Sequence, residues 1–209
     1  MITRFIILLY ILWGIGMPSV FSKTSEKDSL LRVASQLEKV LLNHPTNPTH
    51  QLELGRVYFY LAVDNEEFIS KGDQHFRKMN QHSPNLKGEA NIYLAAIHAL
   101  RAKNATWPMD KWNLANKALS DMDKVVERYP NNIEIRFIRA STCYYLPFFF
   151  NRKDQVKSDF LILVNQLSTK ENKYPVSLLK SICLFIMNSQ YLEAPYIASL
   201  KNYFNSIKG

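Results

Sequence analysis

Glycine is scarce in this sequence, with six among 209 residues, and there are only two cysteines. So few cysteines exclude a disulfide-stapled scaffold and leave no CxxC pair or Cys/His cluster for a metal. The five histidines (His44, His50, His75, His82, His98) show no metal-ligand spacing either. No serine elbow, glycine-rich phosphate loop or HExxH occurs, so we read the chain as non-catalytic, with no metal and no cofactor. No alternation of apolar and polar residues is long enough for a strand. Low-complexity tracts are absent and 47% of residues are apolar, which fits a globular chain. Lys and Arg outnumber Asp and Glu by 26 to 18, a net charge of +8, yet they form no dense basic block. Scattered charge of this kind argues against nucleic acid and leaves acidic polypeptide or an anionic membrane surface as partners.

No apolar run is as long as the roughly 20 residues that span a bilayer comfortably. The longest runs from Phe5 to Met17, follows Arg4 and is broken by Pro18. Val20-Phe21-Ser22 then places small or modest residues where a signal peptidase reads. The layout predicts a secretory signal over residues 1–22, cleaved after Ser22. The alternative is an uncleaved inner-membrane anchor through residues 5–17. Either way the destination is the bacterial periplasm or cell envelope. A single domain is expected over residues 23–209. Cys143 and Cys183 lie in apolar helical stretches, where a thiol behaves as a small hydrophobe; export would also permit a disulfide between them.

What the chain does have is helix, interrupted by Pro-Asn stops. Leu30, Val33, Leu37, Val40 and Leu41 repeat at steps of three and four, one face of a helix that "NHPTNP" ends. A second helix covers Pro48 to Val63. Asp64 is placed to cap a third, which carries Phe68, Gly72, Phe76 and Met79 and stops at "HSPN". "EANIYLAAIHALRA" is a fourth. After the loop "KNATWP", a fifth buries Leu114, Ala118, Met122 and Val125, with Trp112 expected in the core and Trp107 open between packing and a ligand role. "YPNN" precedes a sixth that ends at Pro147. Asn151 is placed to cap a seventh, with Asp154 as the capping-box partner. Two more follow, Leu178 to Met187 and Tyr191 to Ile207. The fold class is therefore all-α, with about nine helices.

An internal repeat runs through these helices. Gly72, Phe76, Met79 and Pro84 have the same spacing as Ala118, Met122, Val125 and Pro130. Ala34, Glu38, Leu41 and Pro45 match one residue short, with a charge at the large position. Val156, Phe160 and Leu163 match without the proline, and Leu54, Gly55 and Tyr58 lie upstream of Gly72. This pattern resembles the tetratricopeptide repeat (TPR). The closing prolines stand 39 and 46 residues apart (45 to 84, 84 to 130), longer than the family period of about 34. The resemblance implies antiparallel helical hairpins in a short right-handed α-solenoid. It also implies a protein- or peptide-binding scaffold whose first helices of each pair line a groove. Leu52, Arg56 and Tyr93 stand where a carboxylate clamp of lysine and asparagines would be needed, so chaperone-tail binding is not implied.

Two sets of residues are candidates for the partner site. Arg136 and Arg139 lie three apart on one helix face and, with Arg56 and Arg101, are placed to receive the carboxylates of an acidic partner. They also stand within reach of internal partners such as Glu134, Glu53 or Asp159. The second set is the stretch "CYYLPFFFNR". Tyr145, Phe148, Phe149 and Arg152 sit at a helix-helix elbow, and either the phenylalanines pack inward or they form an aromatic lip. The lip reading extends to a binding protein for lipid or another hydrophobic ligand, using Tyr144 to Phe150.

Overall fold

A computed structural model describes residues 20–169 and 174–207. Among the described residues there are nine α-helices and no strand. The apolar run 5–17, on which the signal and anchor readings rest, lies outside the described residues. The chain divides into two compact units, with the boundary between Tyr129 and Pro130, inside the "YPNN" stop.

The first unit contains α1 (Val20–Asn43), α2 (Pro48–Asp64), α3 (Glu67–His82), α4 (Lys87–Asn104) and α5 (Pro108–Arg128). Each helix packs on the next, and α2 also packs on α4. Short connections between touching helices make helical hairpins. Asn47 ends the first connection: its Oδ1 accepts from the His50 amide at 3.1 Å, and Pro48 at the first helical position needs no donor partner. Asp64, expected as the cap of α3, is instead the last residue of α2. The Glu67 amide is taken by the side chain of Asn65, at 3.2 Å.

The core of this unit forms around α2, which is buried from Leu52 to Val63 except at Glu53 and Arg56. Phe76 of α3 is fully buried and stacks on Tyr93 of α4, with ring centroids 4.9 Å apart and planes within 5°. The outer carbons of the Phe76 ring also lie against Gly55. A Cβ at Gly55 would stand 2.6 Å from two ring carbons, so only glycine admits this approach. At Gly72 a Cβ would meet the Ile97 Cδ1 at 2.8 Å, the mobile end of a flexible chain. Glu38, the charge in a repeat position that favours an aromatic, also has a partner. It accepts a 2.5 Å hydrogen bond from the Tyr58 hydroxyl, tying α1 to α2.

The second unit contains α6 (Ile133–Tyr144), α7 (Lys153–Thr169), α8 (Val176–Ser189) and α9 (Ala194–Ser206). Helices α6 and α7 pack together, and α9 packs on both α7 and α8. Phe185 of α8 gathers the aromatic core. Phe137, Tyr144 and Phe160 all present edges to it, at 5.6, 5.3 and 5.9 Å between centroids. Cys143 and Cys183 are buried thiols and no disulfide joins them; burial pushes the Cys183 thiol up to about 12.

The two glycines predict different costs. Gly55→Ala gains about 1 kcal/mol of helix propensity. It also forces a rigid ring, already stacked on Tyr93, to move, and overpacking of this kind costs about 1–3 kcal/mol. Gly72→Ala displaces only the Ile97 methyl, so propensity and crowding offset. Urea unfolding should show Gly55→Ala as the less stable variant, with Gly72→Ala close to wild type; equal midpoints would refute the assignment.

Candidate docking site

The two arginines predicted to receive a partner's carboxylate already hold one. Asp159 of α7 lies against α6. Its Oδ1 accepts from Arg136 Nη1 and Arg139 Nη2, both at 2.6 Å, and its Oδ2 from Arg139 Nε at 3.0 Å. Arg136 Nη2 also donates to the Pro130 carbonyl at 2.8 Å. Asp159 is 1% exposed, so its one carboxylate faces two guanidinium groups in a site nearly closed to water. Desolvation is offset here by charge-assisted bonds on both carboxylate oxygens. Arg136 and Arg139 thus bind α6 to α7.

Arg101 is similarly engaged, in the first unit. Asp73 of α3 accepts from Arg77 Nε at 2.9 Å and from Arg101 Nη1 at 3.2 Å, and His98 Nε2 lies 3.5 Å away. Burial pushes the Asp73 carboxyl up, but the bonds and charges of Arg77 and Arg101 outweigh it and hold the group below its ordinary value of 3.8. Burial, with the charge of Arg101 next, pushes His98 down. His75 is pushed down by burial as well, although its Nε2–H donates to the Gln51 carbonyl at 2.7 Å. Arg56 is half-buried on α2. Arg152 is half-buried and donates to Gln155 Oε1 at 2.7 Å.

The aromatic elbow divides into an inner and an outer part. Tyr145 closes α6 and is half-buried; its ring meets Tyr144 edge-on at 5.0 Å and Phe185 at 6.1 Å. Tyr144 reaches on to Tyr191, at 5.1 Å. These rings fill the interior. Beyond them Pro147 stops the helix, and Phe148–Phe150 form one 3₁₀ turn. That turn is fully hydrogen-bonded: the Phe150 amide donates to the Pro147 carbonyl at 3.0 Å and the Asn151 amide to the Phe148 carbonyl at 2.9 Å. Asn151 was expected to cap α7. It instead adopts the left-handed conformation (φ 51°), which asparagine tolerates, and so turns the chain into α7. The outcome for the phenylalanines is specific. Phe148 is 94% exposed and Phe149 55%, while Phe150 is half-buried. Phe149 packs on both neighbours, at 5.9 and 4.9 Å, so the three rings form one ridge.

A second apolar edge lies at the loop-to-helix junction where the sequence leaves Trp107 open. Trp107 is 71% exposed, Met109 67% and Trp112 45%, the last contrary to its expected core position. The reason is where the packing of α5 begins: its first buried residue is Ala115. Among the described residues, no group of three or more His, Cys, Asp and Glu is placed to hold a metal ion, and no helix is long and apolar enough to cross a membrane.

Against known proteins, no family model matches this chain, and neither do any curated protein or solved structure.

Two outcomes test this charge assignment. Asp159→Ala leaves two guanidinium groups buried beside each other without their carboxylate and should cost about 3–5 kcal/mol in denaturant unfolding; a loss under 1 kcal/mol would remove the ion pair from the fold's support. The pH dependence has one sign throughout. A lowered folded pKa gives stability that is present above the unfolded value and lost as pH falls through the folded one. His75 and His98 should therefore withdraw stability as pH drops below 6.5, and Asp73 as it drops below 3.8. Asp73→Asn should flatten the second phase of a pH-dependent unfolding series and enlarge the first, because the charge of Asp73 favours protonated His98; an unchanged acid limb would contradict the network.

Proposed function

We propose that this protein is a non-catalytic docking module of the cell envelope, which holds a protein partner on the aromatic ridge at Phe148 and Phe149. The single observation that carries the reading is the exposure of these two rings on a turn whose backbone is held by hydrogen bonds. An exposed aromatic on a fixed turn has little ordering left to lose on binding. Burying two phenylalanines favours association by about 3–6 kcal/mol before the costs of association are subtracted. That suits a reversible contact in which aromatic anchors fill pockets on the partner.

The finer architecture belongs to the same proposal. A TPR-like stack of hairpins, running as a short right-handed α-solenoid, is supported by the order in which neighbouring helices pack. It is also supported by the glycines that stand where helices approach closely. In this reading the arginines serve the scaffold and not the groove. A hydrophobic-ligand pocket made from Tyr144 to Phe150 is less well supported, because Tyr144 and Tyr145 are packed on Phe185. Export is supported by Arg4 and the apolar run behind it, with the native amino terminus at Lys23 after cleavage or at Met1 if the run is retained as an anchor.

Crosslinking and pull-down from the native envelope tests the ridge. Phe148→Ser/Phe149→Ser removes mostly exposed apolar surface and none of the buried core, so the fold should be kept and at least one wild-type partner should fall about tenfold or more in yield, the equivalent of 1.4 kcal/mol. A folded double variant with an unchanged partner set would overturn the reading. Recovery of a chain starting at Met1 from the cytosolic fraction would overturn the envelope assignment.

A further inference from the structure

We propose that the start of α5, at Trp107, Met109 and Trp112, is a contact site for an anionic lipid surface. Every residue from Thr106 to Asn113 is exposed, whereas the rest of the helix is half covered from Leu114 onward. Met109 and Trp112 are three apart and so lie on one side of the helix. Trp107 directly precedes them, and its carbonyl accepts the Lys111 amide at 3.0 Å, which fixes its place at the helix start. Two indoles and a thioether are therefore exposed at one ordered helix start.

The surrounding charges identify the occupant. Lys103, Lys111 and Lys117 are exposed around this edge in the chain, Lys103 with its Nζ 3.5 Å from the Val63 carbonyl, and Asp110 is the one acid between Lys103 and Lys117. Lysine is depleted at the core of protein interfaces, where tryptophan and methionine are enriched. Tryptophan flanked by lysine is instead the composition of a membrane interface: the ring sits at headgroup depth with its N–H in the polar layer, and lysines meet anionic headgroups. The whole chain carries a net charge of +8, and its apolar run Phe5 to Met17 is of a kind that brings a chain to a membrane. The proposal does not depend on the ridge at Phe148.

Tryptophan fluorescence tests the proposal directly. The chain has three tryptophans, and Trp13→Phe in the full-length protein leaves Trp107 and Trp112 as the only indoles. With phosphatidylcholine vesicles that contain phosphatidylglycerol, emission should move to shorter wavelength, and lipids brominated near the headgroup should quench it. Pure phosphatidylcholine should give neither response. Each lysine near an anionic surface contributes about fivefold to partitioning, so Lys103→Glu/Lys111→Glu should raise the lipid needed for half-maximal quenching about tenfold or more. Quenching reads the position of the indoles themselves, so attachment through the amino-terminal run does not mimic it. Absent quenching, or equal quenching on both vesicle types, would overturn the proposal. So would a spectral shift that appears only on adding envelope protein, which would make the edge a protein interface. Phe148→Ser should leave the response unchanged, which separates this outcome from that of the ridge.

Discussion

The first unit depends on how closely α2 and α3 approach each other. Phe76 can lie flat against Tyr93 only because the outer carbons of its ring meet a residue with no side chain, Gly55. This contact sets the separation of α2 and α3, and through Tyr93 it sets the position of α4. Once α2 has helices on several sides it must be apolar nearly all round, and the buried run from Leu54 to Val63 meets that requirement. The hydroxyl of Tyr58 at this wall then has to be satisfied. Glu38 does so from α1, which gives a reason for a carboxylate at a repeat position where a ring is the usual filling.

Charge is allocated by the same logic of burial. Arginine occupies the places where a charge must enter the protein, since its planar fork satisfies both oxygens of a carboxylate at once. Asp159 binds two arginines in the second unit, and Asp73 binds two in the first with a histidine beside them. Most lysines stay at the surface, with Lys180 a buried exception. A chain with excess positive charge therefore presents that excess as exposed ammonium groups, while several of its guanidinium groups act as internal fastenings. Sequence position alone does not distinguish these uses. Arg136 and Arg139 share a helix face whether they point to a partner or to α7, and their carboxylate lies 20 or more residues downstream.

The hairpins were legible because their ends are written in local chemistry. Proline removes a donor and asparagine supplies a capping oxygen, so "NHPTNP" and "YPNN" mark boundaries without reference to the rest of the fold. Asn47 and Asn132 do cap the helices that follow them. The spacing of Gly72, Phe76 and Met79 was legible for a related reason: side chains at steps of four and three share the face that must be buried. The errors fall where local chemistry is ambiguous between neighbours. Asp64 and Asn65 are both good caps, and the helix before them uses one more residue than the periodicity suggests. Asn151 suits a cap and a left-handed turn equally, and the preceding 3₁₀ turn claims it for the second.

Exposure was the least legible property, for a physical reason. The pattern of a helix shows which side is apolar but not how far along its length a neighbour extends. Trp112 lies near the inward face of α5, but the buried part of that face begins three residues later. At the elbow, three successive phenylalanines have no periodicity from which a direction could be read. Their direction follows from Pro147 and Asn151, which confine the rings to a single tight turn. Such a turn spreads consecutive side chains over roughly a third of a circle each, so three rings in a row cannot all face the core. With Phe150 half-buried and Phe149 leaning on both neighbours, Phe148 is left directed to solvent. A solvated polar residue at that position would satisfy the same backbone at lower risk of aggregation, since exposed apolar patches are hazards unless something covers them. The fold thus accounts for where the ring points, and a binding role accounts for why a ring is there.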